Sequence, residues 1–338
     1  MGHSYLSDAR ALSSRAGVAT LLLTLGLTSG CERGAEPSAS LEVAARSVQS
    51  GALSWNGGWA AVGSGYHGGS LWELDSRERL YNWNHKADSF TLLTTASFSP
   101  DNKYVLTTDE RTLVLWNRES GQAQQYWSSP TEILASQLGP DGERALLGLA
   151  DHRASLYNVQ RGGIIRNLEH SDRVGAVALS ADGERALTGS DAGTVTLWNT
   201  RTGESIAHQQ HESPIELVAM APDGSILLSS GRYERAKLWD ADGQMVWELP
   251  LDEEHVRRGT QITSARFSDD GAWLLTGQPT GRVDLWDIEG QQLAFSWRLP
   301  KRKSFHPVSV SVVDLAFTDD PDLYRALSSD GFVHDLSY

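Results

Sequence analysis

The chain has 338 residues, 40% of them hydrophobic, with 12 tryptophans and 32 glycines. That is enough to bury a large core, and too rich in large apolar side chains for a disordered polypeptide. A formal charge of -14 repels phosphate backbones and sets nucleic acid aside as a partner, and the single cysteine, Cys31, admits neither an internal disulfide nor a paired-cysteine metal site.

At the start of the chain, residues 1–15 carry Arg10 and Arg15. Residues 16–29 (AGVATLLLTLGLTS) are uncharged and mostly apolar, and Gly30 precedes Cys31. This is the basic region, apolar region and small-residue cleavage site of an export signal, too short for a transmembrane span. The stretch LTSGC resembles the lipobox of bacterial lipoproteins, with Thr28 where leucine is usual and Leu27 one place further out. The resemblance implies that residues 1–30 are a signal peptide and that Cys31 is lipidated. Glu32 behind it, rather than aspartate, implies an outer-membrane lipoprotein of the bacterial envelope that faces the periplasm and touches the bilayer only through its acyl anchor. Residues 32–40 (ERGAEPSAS) read as a flexible tether from Cys31 to a folded body at 41–338.

That body is repetitive. TGSDAGTVTLW (188–198) pairs a turn with a period-2 strand and returns as TGQPTGRVDLW (276–286). Its terminal anchor recurs at Trp72, Trp116, Tyr157, Trp198, Trp239, Trp286 and Leu336, at intervals of 44, 41, 41, 41, 47 and 50. Upstream of each anchor lie two apolar runs split by a turn pair, such as Asp141-Gly142, Asp182-Gly183, Asp223-Gly224 or Asp270-Gly271. This chemistry predicts a hairpin with two positive φ angles. Seven units follow, each with a hairpin, an anchor strand and one further strand.

With Leu197-Trp198-Asn199, Leu238-Trp239-Asp240 and Leu285-Trp286-Asp287, and with His85, His170 and His211 thirteen places after an anchor, residues 41–338 resemble the WD-repeat β-propellers. The resemblance implies an all-β, seven-bladed ring. Its last unit stops one strand short, so LEVAARSVQ (41–49) is expected to complete the seventh blade and hide its edge. Typical members also place an aspartate six residues before the anchor, linking histidine to tryptophan by hydrogen bonds. Here that offset holds Asp151 and Asp330, but Tyr66, Glu110, Ala192, Tyr233 and Thr280 elsewhere, so the network is expected to be mostly absent.

Catalytic motifs do not emerge. GSGYHGG (63–69) reads as a turn, the His208/His211 spacing points to opposite faces of a strand, and LDEEHVRR (251–258) reads as a solvated loop. No cofactor or metal site is expected. The units differ in the loops entering them. From anchor to the next hairpin the usual 22 residues become 26, 28 and 31 in units two, six and seven. On the rim formed by these loops and those between second and third strands, Arg257, Arg258, Lys301, Arg302 and Lys303 are expected to form a basic island, with Tyr66, His67, Arg232 and Tyr233 on the same rim. The reading is a non-catalytic, envelope-anchored platform for a protein partner, which the basic island would select for acidity. The alternative is an enzyme, or a small-ligand or cation binder, that uses the central channel.

Overall fold

The computed structural model describes residues 34–86, 89–251, 262–303 and 310–338. Their alternating apolar runs form 28 β-strands in seven antiparallel four-stranded sheets. Blade 1 is β2 (Val48–Leu53), β3 (Trp59–Ser64), β4 (Gly68–Glu73) and β5 (Glu78–Trp83). Blade 2 is β6 (Thr95–Phe98), β7 (Tyr104–Thr108), β8 (Thr112–Asn117) and β9 (Ala123–Ser128). Blade 3 is β10 (Ile133–Leu138), β11 (Arg144–Leu149), β12 (Arg153–Asn158) and β13 (Ile164–Glu169). Blade 4 is β14 (Val174–Leu179), β15 (Arg185–Ser190), β16 (Thr194–Asn199) and β17 (Ser205–Gln210). Blade 5 is β18 (Ile215–Met220), β19 (Ile226–Gly231), β20 (Lys237–Asp240) and β21 (Met245–Glu248). Blade 6 is β22 (Ser264–Phe267), β23 (Trp273–Gly277), β24 (Arg282–Asp287) and β25 (Gln292–Arg298). Blade 7 is β26 (Val312–Phe317), β27 (Tyr324–Ser328), β28 (Phe332–Leu336) and, from the other end of the chain, β1 (Ala39–Glu42). The recurring anchor strand is thus the third strand of every blade.

The hairpin turns are wider than the two-residue form predicted. Between β14 and β15 the Gly183 N–H donates to the Ser180 carbonyl at 2.9 Å, and only Gly183 (φ 72°) has positive φ. Asp182 supports this turn by accepting from the Ser180 hydroxyl (2.6 Å) and the Glu184 N–H (2.9 Å). A five-residue loop built on such a turn needs one left-handed residue, which is why Asn102 (φ 57°) can stand where blades 1 and 3 to 6 have glycine. Both residues of the pair are left-handed only at Asp141-Gly142.

Each seam between neighbouring blades holds its own apolar cluster. Leu187, Val195 and Leu197 of blade 4 meet Val218, Leu227 and Trp239 of blade 5, and corresponding clusters fill the other six seams. Packing is tight enough that a Cβ on Gly189 would lie 2.4 Å from Ile215 Cγ2. The outer strands add polar ties that repeat with the fold. Trp83 Nε1 donates to the Gly121 carbonyl (3.0 Å), Trp127 Nε1 to Val159 (2.8 Å), Gln209 Nε2 to Gly243 (2.6 Å) and Trp297 Nε1 to Ser337 (2.9 Å), each on the next blade.

Closure comes from β1, which pairs antiparallel with β28 from Ala39↔Asp335 to Glu42↔Phe332. The closing strand is therefore 39–42 rather than 41–49. Val43 and Ala44 turn inward, donating to the Gly331 carbonyl and burying their side chains in the seam between blades 7 and 1, and Val48 already begins the inner strand of blade 1. The tether expected at 31–40 is also largely docked. The Ala35 N–H donates to the Ser296 carbonyl and its carbonyl accepts from the Arg298 N–H, so Ala35 bridges in parallel to the outer edge of blade 6. Ser38 N–H then donates to Asp335. The side chain of Ala35 packs against the cluster around Trp297.

Deleting residues 34–42 leaves β28 with an open edge and uncovers part of two seams. The expected result is a lower, broader thermal unfolding transition and elution as aggregates in size-exclusion chromatography. An unchanged melting curve for a monomeric deletion variant would mean that the ring closes without β1.

Candidate functional site

Antiparallel strand order sends every loop between second and third strands, and every loop entering an inner strand, to one rim of the ring. Tyr66 and His67 are exposed there on the β3–β4 loop of blade 1, and Arg232 and Tyr233 on the β19–β20 loop of blade 5. Blades 6 and 7 separate the two pairs, so the structure does not bring them together. Lys301 and Lys303 are exposed on the loop entering blade 7. Arg257, Arg258 and Cys31 lie outside the described residues.

Arg302 is not a free member of a basic island. Its N–H donates to Asp330 Oδ2 (2.9 Å) and its Nε to the Asp330 carbonyl (2.9 Å), while Nη1 reaches Glu42 Oε1 (2.9 Å) and Nη2 the Ala44 carbonyl (2.7 Å). The guanidinium also lies 4.5 Å from the Phe332 ring centre. All of these partners belong to blade 7 or to the arm that closes it, and a planar cation with five donors suits that geometry better than lysine would. Arg232 is likewise engaged, paired with Glu216. The sequence reading passed over Arg46, Phe90 and Leu92. Arg46 lies 4.4 Å from the Tyr66 ring centre, and His67 meets Phe90 edge-on at 6.3 Å. Tyr66 (52%), Phe90 (66%), Leu92 (55%) and Tyr233 (59%) are the large hydrophobic side chains that this rim exposes among the described residues. The excess length of the loop entering blade 2 was the available signal, with Phe90 and Leu92 as apolar residues where only connection is needed.

Beneath the rim the link from acid through histidine to the anchor tryptophan is complete only in blade 2 among the described residues, so the network is mostly absent, and other blades keep different parts of it. In blade 2, His85 contacts Thr112 (2.8 Å) and Thr107 (2.9 Å), Asp109 lies 3.5 Å away, and Trp116 Nε1 donates to Thr107 (2.8 Å). In blade 4, His170 and Trp198 share Thr188 without an acid. In blade 5, His211 contacts Ser229 (2.8 Å) and Glu234 (3.1 Å). Acids thus sit seven and five residues before their anchors, at Asp109 and Glu234, where a fixed offset of six does not find them. Blade 7 uses Ser328, Asp330 and His334, whose Nδ1 also meets Ser40 of the closing strand at 2.8 Å.

Ser229, His211 and Glu234 have the order of a nucleophile, base and orienting carboxylate, but Ser229 is fully buried between blades and cannot meet a substrate. Burial pushes His211 below its usual pKa, against the opposing pull of Glu234. His170 is held down to about 4 by burial, and so is His334, despite Asp330 and Asp335. These are neutral imidazoles acting as structural links.

A cavity of about 190 Å³, open to solvent, lies in the central channel and is lined by residues of all seven inner strands. Its polar groups tie one inner strand to the next. Ser97 accepts from Leu138 N–H (2.9 Å), Gln137 from Leu179 N–H (3.1 Å) and Asp314 from Leu53 N–H (2.8 Å), while Arg266 donates to the Leu315 carbonyl (3.1 Å) and faces Asp314 at 3.4 Å. Among the described residues, no three His, Cys, Asp or Glu side chains converge as a metal site would require.

Three segments, residues 79–117, 162–199 and 250–287, match the model of the WD domain, G-beta repeat, and together span about a third of the chain. Each match ends with the third strand of blade 2, 4 or 6, the first beginning in the outer strand of blade 1 and the second in the turn just before the outer strand of blade 3. The sequence repeat therefore straddles two sheets, as a ring closed by its own N-terminal strand requires. No curated protein matches the chain. The chain is a seven-bladed β-propeller, three segments of which match the WD40 repeat.

Two consequences are measurable. The unfolded chain protonates its histidines near pH 6.5, whereas the folded chain keeps His170 and His334 neutral down to about 4. The unfolded state holds more protons in that window, so stability falls as pH drops from about 6.5 towards 4. Urea midpoints measured across this range should decline, and the decline should shrink in a His170→Gln, His334→Gln double variant. Separately, Arg302→Met removes charge-assisted bonds of ~1.5–3 kcal/mol each. It should lower the unfolding midpoint clearly more than Lys301→Met, and equal effects would argue against a structural role for Arg302.

Proposed function

We propose that this WD40-repeat propeller is an envelope-anchored, non-catalytic platform that holds another protein on its loop rim. WD40 propellers generally mediate protein–protein contacts. One observation carries the reading for this chain. The buried histidines, hydroxyls and channel side chains hold the fold together, whereas large aromatic and aliphatic side chains stand exposed on the rim. Exposed rings on loops fixed by a rigid scaffold are the usual material of interface anchors, and a polar network spent on structure is poor material for turnover.

Anchoring is part of the proposal. The basic and apolar regions of residues 1–30 and the LTSGC stretch support export and acylation of Cys31. The net charge of -14 supports a membrane attachment that rests on the acyl group and not on attraction to anionic lipid.

Wild type should incorporate radiolabelled palmitate and fractionate with membranes, and Cys31→Ser should do neither. Photo-reactive residues placed at Tyr66, Leu92 and Tyr233 in the full chain should cross-link in cells to a protein of defined mass. Cross-linking at none of these positions would sink the platform reading, whatever the outcome of labelling.

A further inference from the structure

The rim is not uniform, and its unevenness points to a partner. Around blades 3 to 5 its cations already face acids of the same chain. Arg173 lies 3.9 Å from Asp191 and Lys237 3.1 Å from Glu234, and Arg153 and Arg232 pair with Asp151 and Glu216. A partner's carboxylate there would have to compete with bonds already made.

Across blades 7, 1 and 2 the composition changes. Arg302 fixes the loop entering blade 7 to the Ala44 carbonyl, two residues before Arg46, and exposes Lys301 and Lys303 on either side of itself. Arg46 stacks on Tyr66, whose neighbour His67 packs against Phe90, and Leu92 follows with more than half its surface exposed. The result is a continuous arc, cationic at the blade 7 end and apolar at the blade 2 end, on a body that is otherwise strongly acidic.

Resting on the protein-binding reading above, we infer that this arc docks an extended acidic segment of a partner protein. The segment's carboxylates face Arg46, Lys301 and Lys303, and an apolar side chain lies on Phe90 and Leu92. The ring contacts hold Tyr66 and Phe90 in place before binding, which lowers the ordering cost of association. Charge complementarity supplies the choice of an acidic segment and a salt-sensitive encounter rate. An anionic membrane is the less suitable occupant, because the acidic body behind the arc is repelled by the same surface that the arc would attract.

The test uses the full chain carrying Cys31→Ser, so that no acyl group competes. Three labelled twelve-residue peptides are titrated by fluorescence anisotropy: glutamate alternating with leucine and phenylalanine, glutamate with serine, and lysine with leucine and phenylalanine. Phosphatidylglycerol vesicles are tested by co-sedimentation. The first peptide should bind at least tenfold more tightly than the other two and weaken as salt rises. Phe90→Ser with Leu92→Ser, and separately Arg46→Glu, should each weaken it at least tenfold, and Tyr233→Ser should not. Because these side chains are exposed, the melting curves of the variants should overlay that of the parent. Arg46→Glu should also narrow the preference for the acidic over the basic apolar peptide. If Tyr233→Ser abolishes binding and the arc variants do not, the arc is overturned while a protein-binding rim stands. Phe90-dependent binding to vesicles alone would make a membrane the occupant and overturn the proposal, as would binding to neither peptide nor vesicle.

Discussion

A four-stranded antiparallel blade in this molecule has two apolar faces and no way to cover both by itself. Every other feature follows from that constraint. Stacking buries the faces in seven seams, and only a closed ring leaves no face over. Closure must join the two ends of the chain, so the sequence repeat is displaced from the structural blade and β1 supplies the strand that blade 7 lacks. The joint is reinforced where it is made. Arg325 of β27 bonds Asp335, the Gly57 carbonyl and Asp75, crossing from blade 7 to blade 1, while Tyr324 and Tyr338 join hydroxyls at 2.7 Å beside Trp297 of blade 6.

The ring also dictates where polar groups can go. Each inner strand runs beside the next at the channel, and each second strand is covered by a neighbour, so hydroxyls and imidazoles there must bond within the fold or remain unpaired at a cost. The chain meets most of this demand, with different parts in different blades. Thr107 joins Trp116 to His85, Thr276 receives Trp286 directly, and blade 7 relies on Arg302 and His334 around Asp330. What recurs is a hydroxyl or imidazole link, while residue identity and offset vary, and in blade 5 Trp239 Nε1 and Ser230 Oγ are buried without a hydrogen-bond partner.

This explains what could be read from the amino-acid sequence and what could not. Blade number and strand order were legible because apolar alternation, turn residues and the spacing of Trp116, Tyr157, Trp198 and Trp239 are local and periodic. The acids Asp109 and Glu234 were missed because a loop can deliver a carboxylate to the same histidine from several positions along the chain, and only the folded path shows which. Arg302 looked like a surface cation because nothing local marks its partners, Glu42 and Ala44, which lie some 260 residues away in sequence. For the same reason residues 34–40 looked like a tether. Their composition is that of a linker, and their place is set by the free edges of blades 6 and 7.

A repeating scaffold makes its irregularities informative. Wherever two blades agree, the shared residues serve the seams, the turns or the hydroxyl links, and nothing in them distinguishes one side of the ring from another. The rim is where the blades disagree, and closure itself creates the largest disagreement, since the arm that brings Glu42 and Ala44 to Arg302 also carries Arg46 to Tyr66. The interaction that completes the fold thereby shapes the adjoining surface. A change that loosened the closing strand would disturb the rim beside it before it reached the charge-paired loops of blades 3 to 5.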